Sequence, residues 1–179
     1  MGITIRQATP TDAPAIAKVH VDAWRSSYAG VVPEEILSGL SYSERETLWD
    51  DILTSPDTNR RCFVAETRDA QGTKIVGFAS AGQESADHEG YEGEIYAIYL
   101  LEEYQRIGLG RRLLQSAAKY LLDDAIKSVL LWVFEENHRA RRFYESLGGR
   151  LVARKGVTIG GAELVEVAYG WKDITKLSR

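Results

Sequence analysis

Two short apolar runs, each leading into an amphipathic helix, constrain this chain more than any other feature. Glu94 to Leu100 is a β-branched and aromatic segment, followed by a loop and then a helix predicted from Gly108 to about Asp124. Leu109, Leu113, Leu114, Ala117 and Leu121 fall on one side of that helix. Val129 to Phe134 is apolar without interruption, the composition of a strand buried on both faces, and the helix predicted from His138 to Leu147 stops at Gly148-Gly149. Strand, helix, strand and helix in that order specify an α/β fold whose two central strands run parallel.

The flanks supply antiparallel pieces. Ile3 to Gln7 alternates as a strand, and Thr9-Pro10-Thr11-Asp12 starts a helix that carries Ala15, Ile16, Val19 and Ala23 as far as about Tyr28. Pro33-Glu34-Glu35 opens a short helix, and Ser43-Glu44-Arg45-Glu46 reads as a capping box that starts a third, with Leu48, Ile52 and Leu53. Cys62 to Thr67 and Lys74 to Ala81 form a predicted hairpin around Asp69-Ala70-Gln71-Gly72. Leu151 to Val157 and Glu163 to Tyr169 form another around Thr158-Ile159-Gly160-Gly161. No repeat or linker interrupts residues 1–179, so a single domain is expected.

Charge and cysteine count exclude several functions. With 22 basic and 26 acidic residues the net charge is −4, which removes the strong basic field of a protein whose main partner is nucleic acid. The longest apolar stretches fall far short of the roughly 20 residues that span a bilayer, so no membrane partner is expected. The N-terminus shows neither an apolar signal core nor a myristoylation pattern, and a cytoplasmic location follows by default. Cys62, the one cysteine, rules out an internal disulfide and a cysteine-based zinc or iron-sulfur site, and its setting suits a packed thiol. His20, His88 and His138 lie in three different elements without metal-ligand spacing, so no metal is expected.

The segment richest in chemistry is Gln105-Arg106-Ile107-Gly108-Leu109-Gly110-Arg111-Arg112, between a strand and a helix. Glycines at 108 and 110 allow close approach of the main chain to a ligand, a helix start offers unpaired N–H donors, and three arginines add positive charge. That combination suits a pyrophosphate; an ordinary helix start with a solvated basic turn has the same letters. A Walker A loop would need a terminal Gly-Lys-Ser/Thr, and a dinucleotide fingerprint a third glycine where Leu113 stands.

The pattern Gln/Arg-x-x-Gly-x-Gly/Ala, met here at Gln105 to Gly110, resembles that of the GNAT family of N-acetyltransferases. The likeness includes Glu94-Ile95-Tyr96-Ala97-Ile98-Tyr99-Leu100 before it and, after it, Val129 to Phe134, Asn137 and Phe143-Tyr144-Glu145-Ser146-Leu147-Gly148, and it extends from about Ile3 to Tyr169. The resemblance implies a mixed α/β sheet in the order β-α-α-β-β-β-α-β-α-β-β, with splayed central parallel strands and acetyl-CoA as the acyl donor. It implies that main-chain groups of Ile98, Tyr99 and Leu100 hold the pantetheine arm and that the amides from Arg106 through Ile107, Gly108, Leu109 and Gly110 to Arg111 hold the pyrophosphate. Asn137, a helix cap on its own reading, would also bond the arm.

Acyl transfer to an amine has its own demands. A lysine-type amine with pKa about 10.4 is less than about 0.1% neutral at pH 7, so a base or a pKa-lowering site is required. Glu94, eleven residues before Gln105, stands where histone acetyltransferases of the family carry their base glutamate. It would need apolar surroundings to raise its pKa, or an ordered water to act through. Tyr144 matches the family tyrosine that protonates the departing thiolate; a phenol with pKa about 10 can donate at neutral pH. Tyr96 shares a strand side with Glu94 and is a candidate for the acceptor pocket, as are Trp24 and Tyr28, four apart on one helix face; each suits the core equally well.

The acidic stretch Glu84 to Glu92 could attract a cationic acceptor or be a solvated loop. The acceptor amine itself is not legible. A non-catalytic acyl-CoA sensor acting through a partner is the alternative reading, and Val129 to Phe134 with the terminal hairpin is the surface expected to support a homodimer.

Overall fold

The computed structural model describes residues 2–55, 59–70, 72–83 and 90–179. Seven strands form one sheet: β1 (Ile3–Gln7), β2 (Arg60–Asp69), β3 (Gly72–Gln83), β4 (Gly93–Leu100), β5 (Val129–Phe134), β6 (Arg150–Ile159) and β7 (Ala162–Trp171). Their order across the sheet is β1-β2-β3-β4-β5-β7-β6, with β4 and β5 the one parallel pair. Among the described residues five α-helices accompany them: α1 (Ala13–Ser27), α2 (Glu34–Ser38), α3 (Tyr42–Thr54), α4 (Leu109–Asp123) and α5 (His138–Ser146). The expected order is present, with short α2 inserted between its two N-terminal helices.

The helix stripes pack into three clusters of core, with α4 contributing to two of them. Ile16, Ala17 and Val19 of α1 pack with Trp49 of α3 against Val64, Val76 and Phe78 of the N-terminal half of the sheet. Leu114, Ala117, Ala118 and Leu121 of α4 and Tyr144 of α5 pack against Leu131, Val133, Val167, Tyr169 and Trp171 of the C-terminal half. A third cluster joins Tyr28, Val32, Leu37 and Phe134, with Val157, Ile159 and Leu164 of the last hairpin leaning on it. Full burial of one such side chain contributes roughly 1.5–3 kcal/mol, so these three clusters hold the sheet between its helices.

One local expectation is corrected and two others are narrowed. The third helix starts at Tyr42, with Ser41 Oγ accepting from Glu44 N at 3.2 Å; Ser43 lies inside the helix, so no capping box begins there. β5 is paired with β7 along its whole length and with β4 at one end, so it is interior to the sheet, whose edge strands are β1 and β6. Of the acidic stretch, residues 84–89 lie outside the described part, and Glu92 is occupied by accepting from the amides of Lys127 (2.7 Å) and Ser128 (3.3 Å). Among the described residues no helix is long and apolar enough to cross a membrane.

The feature that creates a site is the failure of β4 and β5 to stay together. They pair only at Gly93 with Val129 and Glu94 with Leu130. Beyond that, β4 keeps its bonds to β3 while β5 keeps its bonds to β7. The pairing Ser80 with Ala97 followed by Ala81 with Ile95 leaves Tyr96 as an extra residue on β4, a bulge that bends and twists the strand just where it leaves β5. Two strand edges deep in the molecule therefore face each other across a gap.

Candidate active site

The gap opens into a cleft of about 940 Å³ between Ile95 to Leu100 on one side and Leu131 to Val133 on the other. Buried main-chain N–H and C=O groups need partners, and along this stretch the neighbouring strand is too far away to supply them. An extended molecule carrying its own amides can fill such an edge as an added strand does. Ile98, Tyr99 and Leu100 line this wall.

At the mouth, the turn after β4 bends through two left-handed residues, Arg106 at φ 63° and Gly108 at φ 81°, before α4 begins at Leu109. Gln105 fixes the turn by donating from Nε2 to the Leu100 carbonyl at 3.1 Å. The first bond of α4 that leaves the turn is Arg112 N to Gly108 O, at 3.2 Å; among the described residues nothing accepts from the amides of Arg106 to Arg111. Gly110 lets α4 and α5 approach closely, since a Cβ there would lie 3.2 Å from Phe143 Cζ on α5. Gln105, Arg106, Gly108, Gly110 and Arg111 line the cleft. The side chains of Ile107 and Leu109 do not: Ile107 is 59% exposed and Leu109 is buried in the core, so any part they have is through their amides.

Three tyrosines meet deeper in. Tyr28 from the end of α1, Tyr99 from β4 and Tyr144 from α5 all line the cleft. Burial is the largest influence on each phenol and pushes its pKa upward, and the Tyr99 phenol pushes Tyr144 and Tyr28 further in the same direction. All three carry their protons at neutral pH. Tyr99 is held from behind by His20, whose ring stacks on it at 5.2 Å while its Nδ1 accepts from Trp49 Nε1 at 3.1 Å. Burial, helped by the positive charges of Arg45 and Arg60, lowers His20 to about 4, so it stays neutral and braces the ring. Asn137 caps α5 by accepting from Ala140 N at 3.1 Å and lines the cleft, leaving its side-chain N–H groups available.

Glu94 is not part of the cleft wall. It stands half-buried at the last paired position of β4, on the side where Arg60 sits. The Arg60 guanidinium lies 4.5 Å above the Tyr96 ring and 5.5 Å from that of Trp49, donates from Nε to Ser80 Oγ at 2.6 Å, and is in electrostatic contact with Glu94. The surroundings of Glu94 thus include a cation. Tyr96 lines the cleft, with its ring under Arg60 and its hydroxyl donating to the Gln83 carbonyl. Trp24 belongs to the third core cluster, edge-on to Tyr28 at 5.0 Å, and does not reach the cleft, whereas Tyr28 is both core and wall.

Sequence reasoning passed over Arg60, Arg139 and Arg142. Arg60 reaches Glu94 only through the register that sets β2 beside β3 and β3 beside β4, which no local pattern encodes. Arg139 and Arg142 line the cleft from the first turns of α5. Their signal was present: cations crowd a helix start, where the macrodipole disfavours them. Among the described residues no group of His, Cys, Asp and Glu is arranged to hold a metal ion.

An open strand edge ending at a cradle of free amides defines a cleft for an elongated donor with an anionic end, and the arrangement is that of an acyltransferase. The chain belongs to the acetyltransferase (GNAT) family, whose profile matches residues 22–149. It is 41% identical over 175 residues to an uncharacterized N-acetyltransferase, YuaI, of Bacillus subtilis, covering 98% of this chain and 96% of that protein. It is 30% identical to a probable N-acetyltransferase, Rv2775, of Mycobacterium tuberculosis, covering 93% and 92%. The fold is similar to that of the PaiA N-acetyltransferase of Thermoplasma acidophilum, solved in complex with coenzyme A, at a TM-score of 0.70 and 22% identity over 93% of this chain and 98% of that one. The protein is accordingly an acetyl-CoA-dependent N-acetyltransferase. The open edge of β4 and the unclaimed amides fit the donor's amide-bearing arm and diphosphate.

Proposed function

We propose that the cleft between β4 and β5 is where acetyl-CoA reacts with a primary amine, with Tyr144 as general acid and Glu94 as the base that acts through water. The observation that carries this reading is the cleft wall itself: an unpaired strand edge at Ile98 to Leu100, unclaimed amides from Arg106 to Arg111 at its mouth, and a buried protonated phenol at Tyr144 inside.

The amides of residues 106–111 and the flanking arginines hold the donor's diphosphate, the β4 edge and Asn137 hold its arm, and bound acetyl-CoA supplies an activated acyl carbon. The acceptor approaches from the side of α1 and α3, where Tyr28 and Tyr96 stand. Glu94 draws off the ammonium proton through water. The amine lone pair then forms the new C–N bond as the C–S bond breaks. Tyr144 gives its proton to the departing sulfur and is reprotonated at the expense of the second proton lost by nitrogen. General acid catalysis of this kind contributes about 10²–10⁴-fold.

Tyr144→Phe is expected to lower kcat by about 10²-fold or more in a thiol-release assay, while calorimetry shows CoA affinity nearly unchanged. An unaltered kcat in Tyr144→Phe removes the acid assignment, and an unaltered kcat in Glu94→Gln removes the base. A buried lone thiol suits a reducing compartment, and we place the protein in the cytoplasm.

A further inference from the structure

An amine acceptor arrives as a cation, yet the side of β4 that it approaches is itself basic. Arg60, Gly82 and Glu94 stand directly opposite one another on β2, β3 and β4, so all three face the same side of the sheet. The central residue of that row is a glycine, which puts no side chain between the guanidinium and the carboxylate, and the two charges act on each other. Arg60 is half-buried; its Nε donates to Ser80 Oγ at 2.6 Å, and the rings of Tyr96 and Trp49 lie beside it at 4.5 and 5.5 Å. Its Nη groups, which hold most of a guanidinium's donors, have no hydrogen-bond partner and no ion pair among the described residues. Burial pulls its pKa down, as expected of a cation taken from water with part of its donor set unanswered. Arg45 of α3 stands one turn before Trp49 on the same helix face, and its charge bears on His20 and Tyr99. Glu166, which also bears on Tyr99, is matched by Lys155 at 3.4 Å.

A surface that had only to attract an amine would gain from carboxylates alone. A half-buried guanidinium with its Nη edge open instead suits a carboxylate, which it binds through two parallel N–H···O bonds. We infer that the acceptor is a free α-amino acid, whose carboxylate pairs with Arg60 while its amino group stands at Glu94, beside the cleft that Tyr96 lines. This rests on the proposed role of Glu94 and on the acceptor reaching the cleft from the side of α1 and α3. An α-amino acid carries both its charges on one carbon, so the groups that recognise them must be close neighbours on one face, as Arg60 and Glu94 are. A polyamine has nothing to offer Arg60 and sets a second cation against it, so the same residue selects against such acceptors. The product is an N-acetyl amino acid: the C–N bond forms as the C–S bond breaks, Glu94 takes one ammonium proton through water, and the thiol leaves with the proton of Tyr144.

The test is thiol release from acetyl-CoA by the full chain with each standard α-amino acid and with its α-carboxamide, which keeps the side chain and the amine but loses the carboxylate charge. For the amino acid turned over best, kcat/KM is expected to exceed that of its amide by about tenfold or more, the effect of one charge-assisted pair. Arg60→Gln brings the amino acid down to the level of its amide through a higher KM and leaves the amide as in the parent. Arg60→Lys, which keeps a charge beside Tyr96 and Trp49, retains part of the preference. An arginine that merely packs against those rings would lower both acceptors by the same factor in Arg60→Gln, and that result overturns the inference. So does a parent that uses the amide as well as the acid, a comparison that needs no variant, and so does turnover of no amino acid, whether or not spermidine is acetylated. Each of those results leaves the proposed reaction in the cleft standing, whereas failure of the chain to bind CoA in calorimetry overturns that reading and this one together.

Discussion

Gly108→Ala separates the backbone of the cradle from everything else in the cleft. Gly108 caps α4 with φ 81° and ψ 0°, and no atom lies within 4 Å of the point an added Cβ would occupy, so the penalty is conformational and not a clash. An L-residue in the left-handed region costs roughly 1–2 kcal/mol. Loss of glycine's freedom in the unfolded chain returns roughly 0.4–1 kcal/mol. The net is a destabilisation of about 1 kcal/mol, or a melting temperature lower by about 2–4 °C for a chain of this size. If the strain is relieved by rotating the turn, the amides of Leu109, Gly110 and Arg111 no longer converge. Losing two N–H bonds to an anion, each worth roughly 1.5 kcal/mol at the low end, weakens CoA binding by about a hundredfold. Gly108→Asn is the control, since asparagine tolerates the left-handed region while adding a larger side chain. Calorimetric CoA titration, with differential scanning calorimetry of each variant, is the assay. An alanine variant that loses stability yet binds CoA as the parent does would refute the cradle, and equal loss in both variants would assign the effect to bulk at the ligand instead.

Two further outcomes follow from buried polar groups. Asp12 accepts from Arg6 Nη1 at 2.7 Å and Nη2 at 2.9 Å, and this pairing outweighs burial to hold its carboxyl at about 2. The folded pKa lies below the ordinary value of 3.8, so the stabilisation is complete above about pH 4 and is lost as the pH falls toward 2. With partial solvent screening it amounts to about 1–2 kcal/mol; urea titrations from pH 6 to 2.5 should show Asp12→Asn less acid-sensitive than the parent, and parallel profiles would contradict the pairing. Cys62 is 2% exposed, and burial raises its thiol to about 12. A thiol reagent should therefore label the native chain negligibly and the denatured chain once, which leaves thiol-release assays free of background; prompt labelling of the native chain would refute its burial.

In the proposed reaction the cleft draws its donor cradle and its acid from two different helices. α4 brings the amides, α5 brings Tyr144, Arg139 and Arg142, and their contact at Gly110 and Phe143 ties the two starts together. Glu94 stands apart, coupled to Arg60 on the face of the sheet that α1 and α3 cover. The bulge at Tyr96 falls between the end of β4 that pairs with β5 and the stretch that lines the cleft.

Read alone, the sequence determined what is local. The β-branched and aromatic run of Glu94 to Leu100, the helical stripe from Leu109 to Leu121, the glycines that permit the turn at 108 and 110, and the cap at Asn137 each depend on residues within a few positions of one another. Relations between distant segments were decided only when the chain closed on itself. Arg60 meets Glu94 because three strands come into register; Tyr28, Tyr99 and Tyr144 share one space because β4 and β5 part after two pairs; Trp24 turns to core while Tyr28 reaches the cleft. Periodicity specifies which face of an element is apolar, but the position of one element against another follows from packing whole side-chain volumes together, and that information is not held in any short stretch of chain.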